Sequence, residues 1–288
     1  MNNLDKNRIA KNFSRAAIDY ERRAVLQKMV AERLLSHLDL IKLDPGWIVD
    51  AGSGVGFSSR ALKKTYHSAR VIQIDLSPAM LLRSRQKAAR WFSGQYYVCA
   101  DAEKLPVLTG IADLVFSSLM LQWCNDLDSA FAETRRILRT TGLYLFATLG
   151  PDTLREMRES WAGIDDANHV HTFIDMHDIG DALVRAGMEG VVMESEKITL
   201  TYQDCTRLMR DLKALGANNA ISTKSRGLTG RHKIQRVTQN YEKYRSSGLL
   251  PATYEIVYGH AWAPAHAQAK IPAREVFVSV DTLKYNRK

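Results

Sequence analysis

Two stretches constrain this chain more than anything else in it: Val49-Asp-Ala-Gly-Ser-Gly-Val-Gly56, and Gln73-Ile-Asp-Leu-Ser-Pro-Ala-Met-Leu81. Each reads as the end of a buried strand that runs into a loop and then a helix. The glycine run lets backbone pass close to a ligand. Asp75 stands twenty-five positions after Asp50, at the end of the following strand. Ser77-Pro78 supplies a helix start, with Ser as N-cap and Pro in the first turn.

The same alternation continues along the chain. Apolar residues from Tyr20 to Leu38 suggest a helix, closed off by Pro45-Gly46. Strands are expected at Trp47–Val49, Val71–Ile74, Tyr96–Cys99, Ala112–Phe116 and Leu143–Ala147, with helices at 57–66, 78–89 and 128–138 between them. After Gly150 come helices at 153–161 and 175–186 and a strand at 191–200. Helices at 202–215 and 230–244 and a strand at 253–258 follow. This pattern implies an α/β fold, a doubly wound, mostly parallel seven-stranded sheet with a helical lid insertion before its last strand. The expected divisions are an N-terminal helical cap (1–45), a core (46–200), a basic helical lid (201–250), the last core strand (251–264) and a tail (265–288). The tail segment Glu275-Val-Phe-Val-Ser-Val280 suits either an added edge strand or a flexible arm.

The charge is localised. Of a formal net charge of +9, Thr201 to Leu250 holds ten Lys or Arg against three acids, while the rest of the chain is nearly balanced. An acidic partner docking there is the natural expectation. There is no interleaved aromatic platform for RNA, no apolar run long enough to span a membrane, and no signal-like N-terminus, so neither nucleic acid nor membrane is expected as a partner. Three widely spaced cysteines, Cys99, Cys124 and Cys205, read as buried free thiols in a reducing, cytoplasmic setting. His169-x-His171 has metal-ligand spacing but no evident carboxylate or Cys partner, and no metal is expected.

In sheets of this kind ligands sit beyond the carboxyl ends of the strands. Gly52, Gly54 and Gly56 do not follow the dinucleotide spacing, because position 57 is Phe. Asp50, two residues before the first Gly, would repel a pyrophosphate but suits a cationic ligand. S-adenosylmethionine (SAM), with its ammonium and sulfonium, has the right sign. Asp75 suits two ribose hydroxyls, Asp101 the adenine amino group with the Ala102 N–H beside it, and Leu76 and Met80 the adenine faces. Ser117 and Gln122 belong to the same strand-end set. These motifs, with Asp101-Ala-Glu-Lys-Leu-Pro106 and Asp113, resemble the class I SAM-dependent methyltransferases.

Ser117-Ser-Leu-Met-Leu-Gln-Trp123 offers no acid to hold an amine, so an apolar acceptor site is expected there, with Gln122 and Trp123 as its polar exceptions. Phe13-Ser-Arg-Ala-Ala-Ile-Asp-Tyr20, Leu121-Gln-Trp-Cys124, Met209-Arg-x-Leu-Lys-x-x-Gly-Ala217, Leu228-Thr229 and Thr253-Tyr254 are similar to the malonyl-acyl carrier protein O-methyltransferases of biotin synthesis. The resemblance implies methyl transfer from SAM to the free carboxylate of a malonyl thioester, on acyl carrier protein or coenzyme A. The acidic carrier would dock on the basic segment 201–250. An Arg fork is the device expected to hold the carboxylate. Arg15 and Arg210 are the candidates, with Lys213 or His171 assisting and Tyr20 closing over cofactor or acceptor. Two rival readings remain. Gly150-Pro-Asp-Thr-Leu154 and Pro251-Ala-Thr-Tyr254 also resemble a complex I assembly factor that hydroxylates arginine, and the positive charge admits an RNA methyltransferase.

Overall fold

The computed structural model describes residues 4–88, 94–165, 169–215 and 230–265. Seven strands form one sheet in the order β3-β2-β1-β4-β5-β7-β6. They are β1 (Trp47–Ala51), β2 (Arg70–Asp75), β3 (Gln95–Cys99), β4 (Ala112–Ser118), β5 (Leu138–Leu149), β6 (Glu189–Tyr202) and β7 (Leu250–Trp262). β1 to β5 are parallel, while β7 runs antiparallel to both β5 and β6. The order reverses between β1 and β4, and the crevice above that switch point is where such sheets hold ligands.

Alternation along the strands builds two cores. Ile48, Leu114 and Leu145 enter one cluster; their neighbours Val49, Val115 and Phe146 enter the other. The first cluster is completed by α3 (Val25–Ser36), α4 (Phe57–Thr65), α7 (Arg155–Trp161), α9 (Cys205–Ala214) and α10 (Arg231–Tyr241). The second is completed by α6 (Leu127–Ile137) and α8 (Met176–Arg185). Apolar residues on both faces of the central strands are what a parallel sheet covered on both sides requires.

The expected helix over 20–38 is broken. Ala24 leaves helical geometry at φ −79°, ψ 52°, which separates α2 (Tyr20–Arg23) from α3. Within the expected helical cap, a helix whose bounds the sequence did not mark, α1 (Lys6–Ala16), precedes them, capped by the Asp5 side chain on the Arg8 N–H. Packing of α5 (Pro78–Lys87) starts as expected, with the Ser77 side chain capping Met80. Strands β5, β6 and β7 run beyond the apolar centres that marked them, because their ladders pair through polar ends. The insertion carrying α9 and α10 leaves the sheet after Tyr202 and returns at Leu250, and those two residues face each other in register. The proposed tail strand at 275–280, Lys224, Arg226 and the motif residues 216–217 and 228–229 lie outside the described residues. Among the described residues no helix is long and apolar enough to cross a membrane.

Candidate active site

The turn after β1 is pinned to β2: the N–H groups of Gly52 and Ser53 both donate to the Ile74 carbonyl, at 2.8 and 3.0 Å. Gly52 has φ +80°, and a Cβ there would meet the Met120 side chain at 2.5 Å. Only glycine lets the turn lie that close to the loop after β4. The end of β2 is tied to the same turn. Asp75 Oδ2 accepts from the Gly54 N–H at 2.9 Å and its Oδ1 from the Ser77 N–H at 2.8 Å.

A cavity opens above these strand ends. Gly52, Gly54, Asp75, Leu76, Met80, Asp101 and Ala102 line it, so seven of the residues expected to hold the nucleoside share one space. The other four do not. Asp50 is buried (1% exposed) behind the turn and accepts from the Ser59 hydroxyl at 2.5 Å, so it contributes charge and no contact surface. Gly56 packs against α5. Ser117 points to the opposite face of β4, in phase with Val115, and its neighbour Ser118 reaches the cavity instead. Gln122 lines the adjoining cavity; its amide nitrogen donates to the Leu119 carbonyl at 2.7 Å.

That second cavity is much larger, about 1,000 Å³. Phe13, Tyr20, Leu119 and Trp123 line both, so the two spaces meet at a shared wall. The wall is aromatic. Phe13 stands edge-on to Trp123 at 5.2 Å and to Tyr20 at 6.3 Å, and Trp123 stands edge-on to His171 at 5.5 Å. Leu119 and Leu154, both lining the large cavity, have φ of 54° without being glycine. Such geometry costs about 1–3 kcal/mol and concentrates at functional sites. It is held here by hydrogen bonds from the Leu119 N–H to Ala147 O and from the Leu154 N–H to Thr253 O, at 2.8 and 2.7 Å.

Of the acceptor-side candidates, Tyr20 and His171 sit at this inner wall, and Arg15 lines the outer part of the same cavity from an exposed position on α1. Arg210 does not line it. On α9, Cys205 and Leu208 face the core and Met209 and Leu212 face the cavity; Arg210 is a further quarter-turn round and points to solvent, while Lys213 comes back to the rim. His169 lines the same cavity but is stacked on Trp161 at 3.4 Å and paired with Asp165 at 2.7 Å.

The bounds of α1 and its seat over the smaller cavity are what sequence reasoning missed; only a helical cap over 1–45 was expected. Lys6, Ile9 and Phe13 form one face that roofs the smaller cavity, and Lys6 bridges Asp101 and Glu103 at 3.0 and 2.9 Å. The available signal was short: a capping Asp5 and the i, i+4 pair Ile9 and Phe13 in an otherwise polar stretch.

Ionisation follows burial. Asp50 is lifted to about 7, by burial first and then by the Asp75 charge, against the opposing Ser59 hydrogen bond. Asp75 is lifted to about 6 by burial, against the Ser77 and Gly54 N–H groups. Tyr20 is raised by burial and by Asp75, so its phenol stays protonated. Of the three cysteines expected to be buried, Cys205 is, whereas Cys99 is exposed at the end of the edge strand β3; burial pushes the Cys124 thiol up to about 12, which makes it a poor nucleophile at neutral pH.

Fold and site together define a class I SAM-dependent methyltransferase. A family model described as a methyltransferase domain matches residues 49–146. The chain is 52% identical to the malonyl-[acyl-carrier protein] O-methyltransferase of Laribacter hongkongensis, covering 91% of this chain and 90% of that one. It is 48% identical to the enzyme of the same name from Gallionella capsiferriformans, covering 91% and 92%. The chain belongs to this malonyl-[acyl-carrier protein] O-methyltransferase family. Among solved structures, YcgJ from Bacillus subtilis superimposes with a TM-score of 0.57 at 11% identity, over 80% of this chain and 97% of that one. The [4+2]-cyclase SpnF gives 0.51 at 20% identity, over 84% and 80%. A cyclase on the same fold means that the architecture alone does not decide the chemistry.

The motifs that pointed to the arginine hydroxylase tie two elements of the scaffold together, and Thr153, Leu154 and Tyr254 among them also line the large cavity. Gly150 N–H donates to Glu255 O at 2.9 Å, Leu154 N–H to Thr253 O, and Glu156 accepts from the Thr253 N–H and hydroxyl. They join the start of α7 to β7 whatever the acceptor.

Proposed function

We propose that this protein transfers the methyl group of SAM to the free carboxylate of a malonyl thioester carried on acyl carrier protein, giving the methyl ester that starts the pimeloyl moiety of biotin. One observation carries the reading beyond family membership. A small acid-lined nucleoside cavity and a large cavity with five Lys and Arg residues in its lining share a wall of Phe13, Tyr20, Leu119 and Trp123, none of which is a carboxylate or an imidazole.

The cofactor cavity fits SAM by its donor set. Asp75 would take the ribose, Asp101 and Ala102 the adenine edge, Leu76 and Met80 its faces, and the Gly52–Gly54 backbone the aminoacyl end, with Asp50 behind it adding negative charge. When bound there, SAM supplies an electrophilic methyl group on a sulfonium. The acceptor carboxylate is ionised at neutral pH, so the protein need only orient it and keep water away. Phe13, Leu119 and Trp123 exclude water at the junction. His171 and the protonated Tyr20 phenol are the polar groups at the inner wall, and we assign them to orient the carboxylate. The basic segment 201–250 would steer the acidic carrier toward the mouth, and the reaction would take place in the cytoplasm.

Mass spectrometry tests the reaction. Incubation with SAM and malonyl-carrier should add one methylene to the carrier-bound acyl group, faster than with malonyl-coenzyme A. Bound SAM with an unchanged acyl group would sink the proposal, and RNA retained in a gel shift at physiological salt would favour the RNA reading instead.

The buried acids set a pH dependence. A cation binds the ionised pair, so protons must leave Asp50 (about 7) and Asp75 (about 6) before SAM can settle. Calorimetry should show affinity about tenfold weaker at pH 6 than at pH 8, with proton release on binding. Without SAM the sign for stability is the reverse. Both folded values lie above the unfolded value of about 3.9. Their contribution is therefore fully present below pH ~4 and is lost as pH rises through 6 to 7. SAM should flatten that loss in thermal melts.

A further inference from the structure

α1 has two working faces. It carries four bases and no acid. Lys6 is turned onto Asp101 and Glu103. Arg8, Lys11 and Arg15 recur at three- and four-residue spacing and share the face nearly opposite Ile9 and Phe13. All three are exposed, and all three line the mouth of the large cavity. Among the described residues none of them makes an ion pair. Arg23, on the neighbouring helix, by contrast takes Asp211 at 3.7 Å. Like charges one turn apart work against the helix that carries them, so this stripe is maintained at some expense to α1.

The cavity behind the stripe is the second observation. At about 1,000 Å³ it lies at the top of the range for small-molecule sites. A three-carbon malonyl group at the Phe13–Trp123 wall would leave most of it empty. The lining combines apolar residues, among them buried Leu154, Met157 and Trp161, with Arg8, Lys11 and Arg15, whose exposure puts them on the solvent side. The space therefore suits a long, thin ligand that is anionic at the outer end.

We propose that Arg8, Lys11 and Arg15 form a phosphate subsite that grips the phosphate through which the thioester-bearing arm is joined to its carrier. This rests on the proposed methyl transfer and adds to it the recognition of the arm. It also reassigns Arg15, which binds the far end of the substrate and leaves the carboxylate to groups at the inner wall. Arginine suits the task, since its fork matches two phosphate oxygens.

The test compares kcat/KM for malonyl-phosphopantetheine with that for malonyl-pantetheine, which lacks only the phosphate. The protein should prefer the phosphorylated substrate by roughly tenfold or more, and the preference should shrink as ionic strength rises. In the triple variant Arg8→Ala, Lys11→Ala, Arg15→Ala the two substrates should become nearly equivalent, with SAM affinity reporting that the variant is folded. If it does not fold, the salt dependence of the unaltered protein decides. Equal use of both substrates by the unaltered protein would overturn the subsite, as would a preference that survives the triple substitution. Malonyl-coenzyme A and malonyl-carrier as further arms separate the sources. If the triple variant loses efficiency on malonyl-carrier alone, the stripe contacts carrier protein surface and the phosphate assignment is wrong. Methylation of none of the four would instead mean that the proposed reaction itself fails.

Discussion

Asp75→Asn should weaken SAM binding by about a hundredfold or more, measured by calorimetry, with a much smaller change in kcat at saturating SAM. The carboxylate already accepts from two backbone N–H groups, Gly54 on one oxygen and Ser77 on the other. It has lone pairs left on both for a ribose. An asparagine amide cannot reproduce this. Whichever way it turns, its NH₂ faces an N–H donor, so one loop bond is lost and a donor–donor clash appears. Hydrogen bonds to charged groups are worth about 1.5–3 kcal/mol each, and the loss of one ribose bond and one loop bond reaches two decades at about 1.4 kcal/mol per decade. The isosteric side chain leaves the packing intact, which separates this outcome from unfolding. Unchanged affinity would mean that the nucleoside does not lie over the end of β2.

Gly56→Ala should destabilise the protein itself, by about 3 kcal/mol or more, with Tm lower by roughly 6–12 °C. Gly56 has φ +76°, and a Cβ there would lie 1.9 Å from Ser84 Oγ and 2.9 Å from Ser84 Cβ. Ser84 is not free to retreat. Its hydroxyl donates to Gln73 Oε1 at 2.5 Å, and Gln73 donates in turn to Gln95 Oε1 at 2.7 Å, linking α5 to β2 and β3 through a buried polar chain. The methyl group thus adds left-handed strain and also breaks that chain, leaving buried polar atoms unpaired. Ser84→Gly in the same background should recover part of the loss, because it removes both clashing atoms. A melting temperature unaffected by Gly56→Ala would mean that the turn and α5 are not packed as described.

These two residues also show what could be read from the sequence. The glycine turn and the strand-end acids are local devices, dictated within a few residues by the need to turn sharply and end a strand, so spacing alone places them. Phase and long-range contact are harder. Ser117 and Ser118 differ by one step of a strand, and only the fully formed β4 decides which faces the ligand. Arg210 and Lys213 differ by the rotation of one helix. Asp50 belongs to the right motif, yet its side chain turns back to Ser59. α1 is polar along most of its length, and the acids that hold its first residue, Asp101 and Glu103, lie about a hundred residues away. No periodicity in the first sixteen residues could have announced that.

The register pair Tyr202↔Leu250 has an evolutionary consequence. The inserted helices depart from and return to facing positions on adjacent strands, so the sheet closes whatever lies between them. Doubling the length of such an excursion costs only about 0.6 kcal/mol of closure entropy. Descendants of this scaffold can therefore lengthen, shorten or exchange a segment that lines the large cavity without retuning the glycine turn at the smaller one.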